Sequence, residues 1–148
     1  MKLRPLTSED INHVAAIAKE SMLYPWDDSV FRDCFKPNYF SWGVMVGDQI
    51  VGFIIVFLRG DESELMNIAV KPDFQRKGYA KFLLEYAIDF LKAKGVKRLF
   101  LEVRRSNEAA IHFYQKMGAT QIGVRQGYYA AGGMSREDAL IFSCVWSN

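Results

Sequence analysis

The chain has 148 residues, the usual size of one domain and enough to bury a hydrophobic core. Half of its residues are hydrophobic, 24% are charged and the net charge is +2, which excludes a largely disordered chain and argues against nucleic acid as a direct partner. We therefore expect a single domain over residues 1–148.

The cysteines and the N-terminal residues indicate the cellular compartment of the protein. Cys34 and Cys144 lack metal-ligand spacing, so we expect both to be buried in a reducing compartment. The first ten residues lack the apolar segment of a signal peptide, and no apolar run approaches the ~20 residues that span a bilayer. We expect a cytoplasmic protein, a monomer or weak dimer, that does not contact membranes.

The first half of the chain predicts one strand, two helices and three strands. Thr7, with Asp10 three positions later, has the pattern of a capping box at a helix start. Gly47 lies in a turn between two apolar runs, which is typical of a β-hairpin. The predicted strands are Lys2–Arg4, Ser41–Val46, Ile50–Leu58 and Glu64–Val70, and the predicted helices are Thr7–Met22 and Asp28–Phe35.

The second half begins with the clearest helix. Apolar residues recur at helical period from Tyr79 to Leu91, and Gly95 ends the pattern. The later predicted elements are a strand at Lys97–Val103, a helix at Asn107–Met117, and strands at Gln121–Arg125 and Ala139–Trp146 joined by an irregular loop.

The order of these elements is β-α-α-β-β-β-α-β-α-β-β. It predicts an α/β fold in which a mixed sheet carries helices on both faces. The strands Glu64–Val70 and Lys97–Val103 are joined by the long helix, so they should run parallel to each other.

The segment V-K-P-D-F-Q-R-K-G-Y-A separates a buried strand from this helix. Gly78 and Ala80 have little or no side chain, so a ligand can approach the backbone closely at these positions. The first turn of a helix has unpaired N–H groups, and these favour an anion. Gln75, Arg76 and Lys77 add donors and charge, so the segment predicts a pyrophosphate site. The segment is not a P-loop, because no Gly-Lys-Ser/Thr follows, and it lacks the three-glycine spacing of a Rossmann turn. The alternative is a basic turn that only begins a helix.

Glu102 interrupts an apolar strand, L-F-L-E-V. Partial desolvation would disfavour its charged form and make it a better base. The alternative is a carboxylate at a strand end that pairs with Arg104 or Arg105.

Tyr114 and Asn107 belong to the next predicted helix. Tyr114 lies on its inner stripe and is either a core aromatic or a phenol proton donor. Asn107 either caps that helix or turns its amide toward a ligand.

These motifs together resemble the GNAT superfamily of acyl-CoA-dependent N-acetyltransferases over nearly the whole chain. The segments that carry the resemblance are N-I-A-V (Asn67–Val70), Q-R-K-G-Y-A (Gln75–Ala80), L-E-V-R (Leu101–Arg104) and S-N-E-A-A-I-H-F-Y (Ser106–Tyr114). Within it the chain is most similar to bacterial ribosomal-protein alanine N-acetyltransferases, through Y-P-W-D-D-S-V-F (Tyr24–Phe31), R-Q-G-Y-Y (Arg125–Tyr129) and R-E-D-A (Arg136–Ala139).

The resemblance implies a GNAT-like fold, a mostly antiparallel sheet whose one parallel strand pair splays around the cofactor. It implies acetyl transfer from acetyl-CoA, a co-substrate, to the N-terminal alanine amine of a small-subunit ribosomal protein, without a metal. Glu102 would be the general base and Tyr114 the general acid. The implied cofactor contacts are Ile68, Ala69, Val70, Gln75, Arg76, Lys77, Gly78, Tyr79, Ala80, Lys81 and Asn107.

The acceptor region departs from the family. Where relatives usually have Asn-Tyr-Tyr-Pro, this chain has Gly127-Tyr128-Tyr129-Ala130, and the loop that follows also differs. Trp26, Tyr128 and Tyr129 are the candidates for acceptor contacts, although Trp26 could instead pack at the edge of the core. The acidic turn of Asp61, Glu62 and Glu64 could attract a basic peptide tail, or be only a solvated surface.

Three other functions remain open on the sequence. The chain could acetylate another amine: a lysine, a different N-terminus or a small metabolite. It could be a non-catalytic module that binds acyl-CoA. A purely structural domain would leave the segment Gln75–Ala80 unexplained.

Overall fold

The structure is a computed structural model and describes residues 1–146. Its strands are β1 (Lys2–Pro5), β2 (Tyr39–Val46), β3 (Gln49–Arg59), β4 (Glu62–Val70), β5 (Arg98–Arg104), β6 (Thr120–Ala130) and β7 (Arg136–Val145). Its helices are α1 (Ile11–Ser21), α2 (Asp28–Asp33), α3 (Tyr79–Ala93) and α4 (Glu108–Lys116). The predicted order of elements and the α/β class are confirmed. No helix among the described residues is long and apolar enough to cross a membrane.

The strands form one sheet in the order β1-β2-β3-β4-β5-β7-β6, and only β4 and β5 pair in parallel. Neighbouring side chains of β3 point to opposite faces, so Ile54 joins one hydrophobic cluster and Ile55 the other. Helix α3 covers the first face with Leu83 and Leu84, and helix α1 covers the second with Val14 and Ile17. Helices therefore lie on both faces, as predicted.

The parallel pair β4–β5 separates soon after it begins. Its ladder consists of Glu62 opposite Arg98, Ser63 opposite Leu99 and Glu64 opposite Phe100. Beyond these pairs β4 continues to Val70 and β5 to Arg104 with no further ladder pair between the two described strands. A gap therefore opens in the middle of the sheet, and the predicted splayed pair is confirmed.

The last hairpin corrects the predicted irregular loop. Strand β6 continues past Arg125 to Ala130, and β7 begins at Arg136, before the predicted Ala139. The pairing is irregular because Gly127 takes a left-handed φ of +58°, which breaks the strand alternation. Side chains hold this irregularity: the Asp138 carboxylate accepts the Gly127 N–H at 3.0 Å, and the Arg136 guanidinium donates to the carbonyl oxygens of Gly127 and Tyr128.

The predicted capping box is confirmed, and it also anchors β1. Thr7 caps a 3₁₀ turn that leads into α1, and the Asp10 carboxylate accepts the Thr7 N–H at 2.9 Å. The same carboxylate accepts two bonds from Arg4, at 2.9 and 3.1 Å, although Asp10 is only 6% exposed. Arg4 and Thr7 together hold the pKa of Asp10 below its usual value.

Replacing Asp10 by alanine should lower the free energy of unfolding by about 2 kcal/mol, because it leaves the Thr7 N–H and the Arg4 guanidinium without their partner. Because the pKa of Asp10 is lowered, this stabilisation is complete above the ordinary aspartate pKa of about 4 and disappears as the pH falls through the lowered value. Thermal unfolding at neutral and acidic pH measures both effects. Asp33→Ala, which breaks the exposed Asp33–Lys36 pair, is the control and should change the stability by less than about 0.5 kcal/mol.

Candidate active site

The start of helix α3 presents a run of unpaired backbone donors. Gly78 is the N-cap residue with a left-handed φ of +87° and contributes no side-chain cap. The first helical bond runs from the Phe82 N–H to the Gly78 carbonyl at 3.0 Å. Within residues 1–146, none of the N–H groups from Arg76 to Lys81 donates a hydrogen bond. These donors lie at the positive end of the helix dipole, where a phosphate group fits.

The side chains before Gly78 shape this loop. Gln75 donates from its side-chain nitrogen to the Val70 carbonyl at 2.9 Å, so it ties the loop to the end of β4. Lys77 lies over the ring of Phe74, with its Nζ 5.7 Å from the ring centroid. Arg76 takes a left-handed φ of +61°, which is unusual for a residue with a Cβ. The cofactor contacts of these residues remain predictions.

Backbone groups of β4 also face the gap. The Lys71 N–H donates to the Val51 carbonyl at 2.8 Å, so this opposite pair is a hydrogen-bonded one. Hydrogen-bonded and non-bonded pairs alternate along an antiparallel ladder. Val70 and Ile68 therefore turn their N–H and C=O groups away from β3 and toward the gap. Ala69, between them, bonds to β3.

Glu102 lies on the wall of a cleft of about 310 Å³. Its side chain is 18% exposed, and its Oε1 forms an ion pair with Arg125 Nε at 3.0 Å. Burial raises the pKa of Glu102, the positive charge of Arg125 opposes the shift, and the negative charge of Glu64, in the same cleft, adds to it. A carboxylate with a raised pKa is better able to accept a proton.

The predicted alternative partners of Glu102 were wrong. Arg104 pairs with Glu137 at 2.9 Å and Arg105 pairs with Asp138 at 3.1 Å, so neither contacts Glu102. The ion pair of Glu102 is made instead with a residue of β6, which lies two strands away across β7. The strand order of the sheet, and not proximity in sequence, therefore determines which basic residue forms an ion pair with Glu102.

Tyr114 is a buried phenol. It lies on the inner face of α4, is 7% exposed and makes no side-chain hydrogen bond to residues 1–146. Burial raises the pKa of Tyr114, and nearby Cys144 and Tyr129 add to the shift. The phenol therefore stays protonated at neutral pH and donates no hydrogen bond to residues 1–146.

Both cysteines, Cys34 and Cys144, are free and buried, as predicted.

Asn107 is the N-cap of α4. Its Oδ1 accepts the Ala110 N–H at 3.2 Å, which is the capping alternative considered from the sequence. Its side-chain NH₂ group donates to no residue among 1–146 and remains free for the predicted cofactor contact.

The aromatic candidates for acceptor contacts lie in different settings. Trp26 packs against Phe31 with ring centroids 5.3 Å apart, so core-edge packing describes its contact. Tyr128 is 46% exposed and packs edge-on against Tyr129 at 5.0 Å. Burial, with a smaller contribution from Glu102, raises the pKa of Tyr129 to about 12. Tyr129 therefore lies near Glu102, and it also affects the pKa of Tyr114.

Three residues of the cleft region had no assigned role in the sequence. Arg125 was noted as part of a family motif, Glu64 as part of a strand and an acidic turn, and Arg104 as part of a family motif and as a possible partner of Glu102. Alternation along β5 places Arg104 on the same face as Glu102, and this pattern could have identified Arg104 as a neighbour of the site.

Within residues 1–146, no group of three or more His, Cys, Asp or Glu side chains could hold a metal ion.

Replacing Gly78 by alanine should weaken acetyl-CoA binding about tenfold, because a left-handed residue with a Cβ costs about 1–2 kcal/mol and the loop would relax away from its donor arrangement. Isothermal titration with acetyl-CoA measures this effect. Gly95→Ala is a matched control: it has the same left-handed strain, at φ +80°, but lies beyond the other end of α3. It should cost stability and leave the affinity unchanged, and equal affinities of both variants would contradict the assigned site.

Comparisons with known sequences and structures show which proteins this chain resembles. The acetyltransferase (GNAT) family model matches residues 10–119. The chain is 36% identical over 138 residues to the ribosomal protein bS18-alanine N-acetyltransferase of Salmonella typhimurium, covering 93% of each chain. It resembles the crystal structure of the Escherichia coli ribosomal-protein-S18-alanine N-acetyltransferase with a TM-score of 0.91 at 34% identity, covering 97% of this chain and 92% of that one. Arabidopsis thaliana NAA60 in complex with acetyl-CoA shares the fold, with a TM-score of 0.83 at 17% identity and 97% of each chain covered.

Proposed function

The chain belongs to the acetyltransferase (GNAT) family, and from this membership we propose that it transfers an acetyl group from acetyl-CoA to the N-terminal α-amine of a small-subunit ribosomal protein that begins with alanine. The observation that carries the proposal is the run of unpaired N–H donors from Arg76 to Lys81, next to the gap between β4 and β5. The names of the relatives from Salmonella typhimurium and Escherichia coli support the acceptor, and we assign the reaction to the cytoplasm.

The residues around the gap fit acetyl-CoA. The N–H groups from Arg76 to Lys81 would hold the pyrophosphate, with the charges of Arg76 and Lys77 beside it. Ile68 and Val70 would pair with the pantetheine arm as an extra strand does, and Asn107 would donate its amide to that arm. When bound, acetyl-CoA supplies the acetyl group as an activated thioester.

The chain's own groups would move the protons. A free α-amine has a pKa of about 8, so it must lose a proton before it attacks. Glu102 accepts that proton, directly or through a water, and its burial suits it to this role. Tyr114 donates its phenol proton to the departing sulfur. An N–H of Ile68 or Val70, turned to the gap, polarises the acetyl carbonyl. No side chain forms a covalent bond to the acetyl group.

The cleft beside Glu102 suits a charged amine. Three carboxylates, of Glu62, Glu64 and Glu102, line the cleft against two guanidinium groups, of Arg59 and Arg125, so an ammonium group that enters meets a small excess of negative charge. Tyr128 and Tyr129 lie at the same side of the sheet, near Arg125 and Glu102, and would contact the acceptor's first residues. Their hairpin differs from the usual family sequence, so we expect the preference for the acceptor's first residues to be the property in which this chain differs most from its relatives.

A peptide panel tests the proposal. Peptides with the sequence of the bS18 N-terminus but different first residues are incubated with the enzyme and acetyl-CoA, beside free polyamines and an internal lysine peptide. We expect the alanine peptide to be acetylated at its α-amine with the highest kcat/KM. Faster acetylation of lysine or polyamines would contradict the proposed acceptor, and tight acetyl-CoA binding without turnover on any amine would instead indicate a binding module.

Mass spectrometry gives the corresponding test in cells. Ribosomal proteins are compared between cells with and without this chain. We expect one N-terminal acetyl group, on a small-subunit protein that begins with alanine, to disappear when the chain is removed. An unchanged set of acetylated N-termini would contradict the proposed acceptor.

A further inference from the structure

Arg104 lies two residues beyond Glu102 on the same face of β5. Its guanidinium carbon is 3.7 Å from the ring centroid of Tyr24 and 4.4 Å from that of Tyr129. Tyr24 belongs to the loop between α1 and α2, and Tyr129 to the end of β6. One planar cation therefore contacts aromatic rings from two segments that are more than one hundred residues apart in sequence.

The same guanidinium also donates hydrogen bonds from its Nη1 atom. Arg104 Nη1 donates to the Ala130 carbonyl at 2.8 Å and to Glu137 Oε1 at 2.9 Å. The other oxygen of Glu137 accepts the Ser106 N–H at 3.2 Å. The side chains of Arg104 and Glu137 are only 20% and 16% exposed, so these charged contacts are shielded from water. Arg104 thus bonds both strands of the β6–β7 hairpin.

No hydrogen bond or ring–ring contact orients Tyr24. Its side chain forms neither with residues 1–146, Tyr24 itself is 39% exposed, and its neighbour Leu23 is 85% exposed. Among the described residues, the Arg104 guanidinium is therefore the directional contact of the Tyr24 ring. Tyr129, which the guanidinium also contacts, lies near both Glu102 and Tyr114.

We propose that Arg104 is a positioning residue for the acceptor: it clamps the α1–α2 loop to the β6–β7 hairpin, so that Tyr24 and Tyr129 form a fixed wall that orients the acceptor's first residues toward Glu102. This inference rests on the proposed function, because it assumes a peptide acceptor in the cleft. The role requires arginine, since a lysine ammonium keeps the charge but cannot contact two rings with its faces while its edge donates to Ala130 and Glu137.

Arg104→Lys tests the proposal, with Arg105→Lys as the control. Arg105 directly follows the same strand and is paired with Asp138, but it makes no cation–π contact with an aromatic ring among residues 1–146. We expect Arg104→Lys to raise the KM for an alanine peptide about tenfold, while kcat and the Kd for acetyl-CoA change less than twofold. Arg105→Lys should leave all three unchanged. An unchanged acceptor KM in Arg104→Lys, or an equal rise in both variants, would overturn the proposal.

Hydrogen exchange provides a readout that does not depend on turnover. We expect faster amide exchange in residues 22–27 and 127–136 of Arg104→Lys than of Arg105→Lys, because only the former loses the link between the two segments. Exchange in these segments that matches the wild type would overturn the clamp even if peptide turnover changed. If the wild-type enzyme acetylates no alanine peptide, the proposed function fails, and the exchange experiment still decides whether Arg104 joins the segments.

Discussion

Replacing Glu102 by glutamine is expected to lower kcat for an alanine-starting peptide by about 10²–10⁴-fold, which is the usual effect of losing a general base. Glutamine has nearly the same shape and can still bond to Arg125, but it cannot accept the amine proton. The Kd for acetyl-CoA should stay within twofold, since the proposed phosphate site lies on α3. Steady-state kinetics and calorimetry measure the two quantities. A variant with the wild-type kcat would show that Glu102 is not the base.

The pH dependence of the same pair of enzymes gives a second test of Glu102. Activity requires the ionised carboxylate, and burial raises the pKa of Glu102 above the usual glutamate value. The kcat/KM of the wild type should therefore fall on acidification at a higher pH than an ordinary glutamate would give, and Glu102→Gln should lack this limb. Glu85→Gln, on the exposed side of α3, is the control and should keep the wild-type profile.

Replacing Tyr114 by phenylalanine is expected to lower kcat at least about 10²-fold, because the departing sulfur loses its proton donor. The ring remains and the hydroxyl bonds to no residue among 1–146, so the melting temperature should change little. Tyr86→Phe, the same change on the exposed side of α3, is the control and should keep the wild-type kcat. An unchanged kcat in Tyr114→Phe would mean that the sulfur leaves without this acid.

The parts of the fold that local rules govern could be predicted from the sequence. Helix α3 followed from its apolar period, the start of α1 from Thr7 and Asp10, and the parallel pair from the strand–helix–strand order. The bare start of α3 at Gly78 was also predicted, because glycine at a helix N-cap leaves the first-turn donors open. These features depend on neighbours within a few residues or on a topological rule, and a single sequence contains both.

Features that depend on distant contacts could not be predicted. The partner of Glu102 is Arg125 because the strand order and register bring these residues together. Arg104 contacts Tyr24 because the α1–α2 loop reaches the end of β5. The extension of β6 to Ala130 was missed, since the left-handed Gly127 hides the alternation and Asp138 bonds to it from the other strand. Burial of Glu102 in an apolar strand was predicted and raises its pKa, but the charges of Arg125 and Glu64 that act on the same group were not.

The most direct test is a crystal structure with a bisubstrate analogue, coenzyme A joined through an acetyl linker to the α-amine of an alanine-starting peptide. We predict that its pyrophosphate bonds to the N–H groups from Arg76 to Lys81, that its pantetheine arm lies between β4 and β5, and that the alanine nitrogen faces Glu102. A complex in which the start of α3 stays free and coenzyme A binds elsewhere on the chain would contradict the proposed site and the mechanism derived from it.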